Sequence, residues 1–165
     1  MTRKETTKFL SDLLIRDRFS GMGKYWAREV TLNYGSADVK RVDFMQFKPV
    51  NTMSASGIEK GEFICYEVKS CVEDYKSGHG QNFVGERNYF VMPMSLYKKV
   101  VNELGIYIGV IVPIPKGRDK HQEFENPTEL NINKDWELII IKNSYPQSRK
   151  YSLAELLFCM LRSGQ

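Results

Sequence analysis

Two segments of the chain carry charge where core residues belong. Asp43 sits between Val42 and Phe44, and Glu67-Val68-Lys69 interrupts the run begun by Phe63-Ile64-Cys65-Tyr66. Both segments read as strands, over residues 39–47 and 62–71. Side chains alternate along a strand, so Glu67 and Lys69 share one face and Val68 takes the other. If the two strands pair as a hairpin-like unit, Asp43 stands beside Glu67. Two carboxylates at close range repel, and burying them unpaired is costly. A hard divalent cation, Mg2+ or Mn2+, removes both problems because it favours oxygen ligands, with the Val68 backbone carbonyl as a third donor. Lys69 would then sit beside the metal, to hold a water or hydroxide or to neutralise charge developing on a phosphate. The structural alternative is a Glu67–Lys69 pair at a strand end, with Asp43 as its salt-bridge or turn partner.

The elements that must position these groups follow from periodicity. Residues 6–19 read as a helix, with Phe9, Leu10, Leu13 and Leu14 on one stripe and Gly21 and Gly23 as its stop. A strand over 26–34 precedes the Asp43 strand, which Pro49 closes. Residues 50–61, polar and small, read as a loop. The 62–71 strand is apolar on both faces and so belongs in the middle of a covered sheet. A short helix at 73–77, a strand at 88–92, a Ser95-capped helix to Leu104 and a strand at 106–112 follow. The charged stretch 116–133 reads as a surface loop, 136–142 as a late strand, and Ser152 caps a final helix to about residue 162. The strand–helix–strand crossover over 88–112 implies at least one parallel pair.

At 165 residues the chain is one domain, residues 1–165, large enough to bury its own core without a disulfide or structural metal. Its net charge of +4 is compatible with a nucleic-acid partner but does not demonstrate one. Three cysteines (Cys65, Cys71, Cys159) without paired spacing form no disulfide framework, and with two histidines and no Cys-x-x-Cys there is no zinc signature. The start Met1-Thr2-Arg3-Lys4-Glu5 lacks a signal-peptide core, and the longest apolar run, 106–114, is too short to cross a bilayer. These features lead to the expectation of a reducing, cytoplasmic setting with no membrane partner.

The segment Arg41-Val42-Asp43-Phe44, followed after a loop by Cys65-Tyr66-Glu67-Val68-Lys69-Ser70, resembles the PD-(D/E)xK nuclease superfamily. With Asp74-Tyr75-Lys76, Gln81-Asn82-Phe83-Val84-Gly85 and Asn88-Tyr89-Phe90-Val91-Met92-Pro93, the chain is similar to a small phage and bacterial branch related to DNA-repair nucleases. The resemblance spans about residues 26–113. It implies a restriction-endonuclease-like α/β fold, a mixed sheet flanked by helices. It further implies Mg2+- or Mn2+-dependent hydrolysis of DNA phosphodiesters in repair, recombination or phage DNA metabolism. Asp43 matches the first metal-binding acid, Glu67 the second and Lys69 the catalytic lysine. Glu29 lies where many members place a further acid, and Gln81 where some carry a polar active-site residue. One departure is that Val42, not proline, precedes Asp43.

Lys76 and Arg87, nearest the motif along the chain, are the first choices for DNA-backbone contacts, and His79 is a loop histidine able to reach a phosphate. Gly78-x-Gly80 lacks the third glycine and the setting of a dinucleotide fingerprint. A chain of this size has little room for a targeting domain, so specificity would come from a homodimer, a protein partner or DNA structure. Two rivals stand beside the nuclease reading. One is a non-catalytic nucleic-acid- or protein-binding module that keeps the fold. The other is an interaction protein whose charged residues form a structural network.

Overall fold

The computed structural model describes residues 1–164, built around one six-stranded mixed sheet flanked by helices. Helix α1 (Arg3–Leu14) starts three residues earlier than its apolar stripe suggests. The reason is a capping box: Thr2 Oγ1 accepts from the Glu5 amide at 3.3 Å, and Glu5 returns a carboxylate to the Thr2 amide at 2.7 Å. The helix runs on into a wider π-turn (Ile15–Phe19), whose Phe19 stacks on Trp26.

Strands β1 (Tyr25–Leu32), β2 (Lys40–Lys48) and β3 (Glu62–Val68) form an antiparallel meander. Strands β4 (Arg87–Val91) and β5 (Ile108–Pro115) continue it in parallel, and β6 (Trp136–Lys142) closes it antiparallel. The spatial order is the chain order, which puts the two-sided apolar strand β3 in the interior. The crossovers run through α3 (Val72–Lys76) and through α4 (Met94–Val100), which ends in a 3-10 turn (Val101–Glu103).

Four further features depart from the sequence reading. The 50–61 loop holds a short helix α2 (Ala55–Glu59), whose N-cap Ser54 accepts from the Gly57 amide. The 116–133 loop holds α5 (Lys120–Glu125), invisible to periodicity because its anchors are polar. Asp119 caps its start, and the fully buried Glu123 binds Arg118 at 2.9 Å and both the amide and hydroxyl of Thr128. Strand β5 extends through Pro113 and Pro115. The Ile111 carbonyl accepts from Met92, so odd-numbered residues of β5 face β4, and β4 ends before the prolines are reached. Their missing N–H groups therefore fall where no ladder partner exists. Pro93, not Ser95, is the N-cap residue of α4.

One sheet face packs under α1, where Leu10, Leu13 and Leu14 meet Phe44, Tyr66 and Ile111. The opposite face carries two separate apolar clusters. One lies under α6 (Leu153–Ser163) with Val30, Met45 and Cys65, and the other under α3 and α4 with Phe90, Val110 and Leu96. Glu67 falls on this second face, between Cys65 of one cluster and Phe90 of the other.

Candidate active site between the two clusters

The β2–β3 ladder ends at the Phe44–Tyr66 rung, so Asp43 and Glu67 are the next residues outward on each strand. Beyond that rung the Val68 amide finds its acceptor in a side chain: Asp43 Oδ2 takes it at 2.9 Å. The carboxylate thus replaces a strand carbonyl and is fixed beside Glu67. Burial pushes the Asp43 carboxyl above its ordinary range, while the Val68 amide and the Lys69 charge pull the other way.

Glu67 is fully buried, and neither of its carboxylate oxygens has a hydrogen-bond partner among the described residues. Burial, reinforced by the adjacent Asp43 charge and only partly offset by Lys69 and by the Asn82 amide, which approaches without reaching hydrogen-bond geometry, pushes its pKa up to about 9. Lys69 is 3% exposed and follows directly on β3, its amide held by the Val91 carbonyl. Its ammonium donates to the His79 carbonyl, and its ion-pair contact is Asp74 Oδ1 at 4.0 Å. The Glu67–Lys69 pair of the structural alternative is therefore not a direct contact.

Two residues not singled out from sequence complete the site. Asp74, in the first turn of α3, accepts from the amide and hydroxyl of Ser70 and from Arg3 at 2.7 Å, tying α3 to α1 beside Lys69. Gly80 closes over the carboxylate at φ +65°, and a Cβ there would stand 2.9 Å from Glu67 Oε2 and 3.4 Å from Lys69 Nζ. The glycine pair 78/80, unsuited to a dinucleotide, was the available signal for this close approach. The role of Asp74 had no such signal, because an acid in a helix's first turn is ordinary capping chemistry.

Asp43 is the carboxylate that reaches open clefts. One of about 560 Å3 is lined by Arg41, His79, Gly80 and Asn82, and one of about 330 Å3 by Lys8, Ser11, Arg28 and Glu29. Register places Glu29 opposite Asp43, but its backbone is left-handed (φ 54°) and its carboxylate is held at 2.9 Å by Arg41 on the exposed edge. Gln81 is exposed and donates to the Tyr75 carbonyl; Lys76 is exposed on α3. Arg87 is carried away from the site. It begins β4 beside Ile64 on the α1 face, paired with Glu62 at 3.3 Å.

Among the described residues no cluster of three or more His, Cys, Asp or Glu side chains could hold a metal. The oxygen donors available are the Asp43 and Glu67 carboxylates and backbone carbonyls such as that of Val68. Two adjoining acids, one with orphaned buried oxygens, form a site short of positive charge, and its hard donors fit a divalent cation of the Mg2+ or Mn2+ type.

No family model matches the chain, and no curated protein matches it. Among solved structures, a protein of unknown function from Silicibacter pomeroyi is similar, with a TM-score of 0.56 at 16% identity over 96% of this chain and 82% of that one. At that identity the likeness is one of fold: a single α/β domain with a mixed six-stranded sheet between helices.

Proposed function

We propose that the chain is a PD-(D/E)xK-type hydrolase of DNA phosphodiester bonds, dependent on Mg2+ or Mn2+ and acting in DNA repair, recombination or phage DNA metabolism. The observation that carries this reading is the buried Glu67 carboxylate, without a donor, beside Asp43 and Lys69. Asp43 and Glu67 would hold the cation, with the Val68 carbonyl as a further oxygen. When bound, the cation polarises a phosphate oxygen and lowers the pKa of a water. Asp43 faces the open clefts, so it is the acid that meets the substrate side. Glu67, behind it, supplies charge from a dry environment where each interaction counts for more. Lys69, which makes one hydrogen bond, to the His79 carbonyl, keeps further N–H groups that would hold the attacking water and offset charge on the phosphate. Specificity would come from DNA structure, a second copy or a protein partner.

One observation favours the second reading, a binding module that keeps the fold without turnover. Gly80 and His79 close over Glu67 and Lys69, so the inner carboxylate has no solvent path in this conformation. Incubation of the chain with plasmid and branched DNA in Mg2+ or Mn2+ separates the two readings. Cleavage that Lys69→Ala abolishes and that chelation stops supports the hydrolase. Mn2+ binding by calorimetry that is lost in Asp43→Asn, without cleavage, supports the module. Absence of both, identical in wild type and Asp43→Asn, overturns the metal site altogether.

A further inference from the structure

The α1 face of the sheet is only partly covered. Beyond the π-turn, toward the Lys48 end of β2 and the Arg87 end of β4, lies a cleft of about 430 Å3. Its floor carries Gln46, Tyr66 and Tyr89, and its sides carry Arg18, Lys24 and Lys48. The floor is unusual for a sheet that elsewhere on this face packs apolar residues. Gln46 and Tyr66 are buried polar side chains, and the Tyr66 hydroxyl donates to Gln46 Oε1 at 3.1 Å. That bond orients the amide so that its N–H2 group has no protein acceptor among the described residues.

The charges are equally unspent. The cleft's two acids are both engaged: Asp17 binds Arg16 and the Leu138 amide, and Glu62 binds Arg87. Arg18, Lys24 and Lys48 make no ion pair among the described residues, and the Arg18 Nε is buried with no partner at all. Buried donors are ordinarily satisfied, so the unpartnered Arg18 N–H, in a concave site flanked by the exposed, unpaired Lys24 and Lys48, is complementary to an oxyanion. A guanidinium fork flanked by two ammonium groups matches a phosphate group with two negative charges better than a single carboxylate.

We infer that this cleft binds a phosphate monoester, its phosphate against Arg18 and Lys48 and its body over the Gln46–Tyr66 floor. The phosphate belongs either to a free mononucleotide or to the phosphorylated end of a DNA strand. The site is separate from the Asp43–Glu67 site, whose two clefts share no lining residue with it, and it does not rest on the hydrolase reading.

Calorimetric titration of the full chain in metal-free buffer tests it, using inorganic phosphate, a deoxynucleoside 5′-monophosphate, and a short oligonucleotide with and without a 5′-phosphate. Saturable binding of phosphate and of the monophosphate is expected. Arg18→Gln is expected to weaken it at least tenfold, as is Lys48→Gln on a different element. Neither residue holds another part of the protein, so thermal melts of both variants should match wild type. Lys4→Gln, which removes the same charge from an exposed turn of α1, and Asp43→Asn should change binding less than twofold. Tighter binding of the 5′-phosphorylated oligonucleotide than of its unphosphorylated twin assigns the ligand to a strand end. Binding of the mononucleotide without that gain assigns it to a free nucleotide. No saturable binding, binding undiminished in both cleft variants, or binding lost in Asp43→Asn overturns the inference.

Discussion

Replacing Glu67 by glutamine should make the protein more stable at neutral pH, and the gain should vanish in acid. A carboxyl whose pKa is higher in the fold than in the unfolded chain is protonated preferentially in the fold. Its contribution is therefore complete below the unfolded value and is withdrawn as the pH rises toward the folded one. For Glu67 those limits are the ordinary 4.5 and about 9. At about 1.4 kcal/mol per pH unit, the native state forfeits on the order of 1 kcal/mol at pH 5 and on the order of 3 kcal/mol at pH 7. Glutamine has the shape of the protonated acid and a donor to offer Asp43, so it escapes this loss at every pH. Urea unfolding of wild type and Glu67→Gln from pH 5 to pH 8.5 measures the difference directly. The two stability curves should nearly meet at the acid end and diverge steadily above it. Parallel curves, or a variant weaker than wild type at pH 7, would mean that Glu67 is ionised and well paired in the metal-free fold. The reasoning from its orphaned oxygens would then be wrong.

Three further outcomes follow from the same geometry. Gly80→Ala imposes a left-handed conformation on an alanine and drives its Cβ toward Glu67 Oε2, so it should cost about 2 kcal/mol in chemical denaturation and abolish any metal-dependent cleavage. Glu29→Gly relieves the left-handed backbone at a cost of one exposed ion pair; a net stabilisation of about 1 kcal/mol in urea melts is expected, with cleavage within about threefold of wild type because Arg41 holds the Glu29 carboxylate outward. Glu123→Ala strands the Arg118 charge and the Thr128 donors; a loss of about 3 kcal/mol or more is expected, with amide exchange accelerating first across residues 118–128.

The sheet was legible from sequence where apolar pattern alone decides it. The two-sided run at Phe63–Tyr66 identified a central strand, and the meander then placed Asp43 beside Glu67, as the register has it. What escaped the pattern has polar anchors. Helix α5 hangs on Asp119 and Glu123 rather than on an apolar stripe, and α1 gains its first turn from the Thr2–Glu5 box. Arg87 illustrates a different limit. Its nearness to Lys69 along the chain suggested nearness in space, but a parallel crossover returns the chain to the opposite end of the sheet before β4 begins. Alternation then turns the Arg87 side chain to the other face. Gly80 was visible as a residue but not as a contact, since only the fold reveals that its missing side chain makes room for Glu67 and Lys69.

The disposition of Lys69 bears most directly on the choice between a structural ion pair and a site. A buried pair kept for stability places the ammonium on the carboxylate, because only that contact offsets the desolvation of both. Here the ammonium is directed to the His79 carbonyl, with Asp74 at 4.0 Å, while both oxygens of Glu67 go without a donor. The two charges also sit where the second sheet face would otherwise be continuous, between the cluster under α6 and the cluster under α3 and α4. Apolar residues at these positions would join the clusters and remove the desolvation cost. An arrangement that splits a core and leaves its acid without a donor is poor at holding a fold together. It is well suited to receiving a cation from the clefts that Asp43 lines, and the buried acid, more than the motif around it, supports the hydrolase reading.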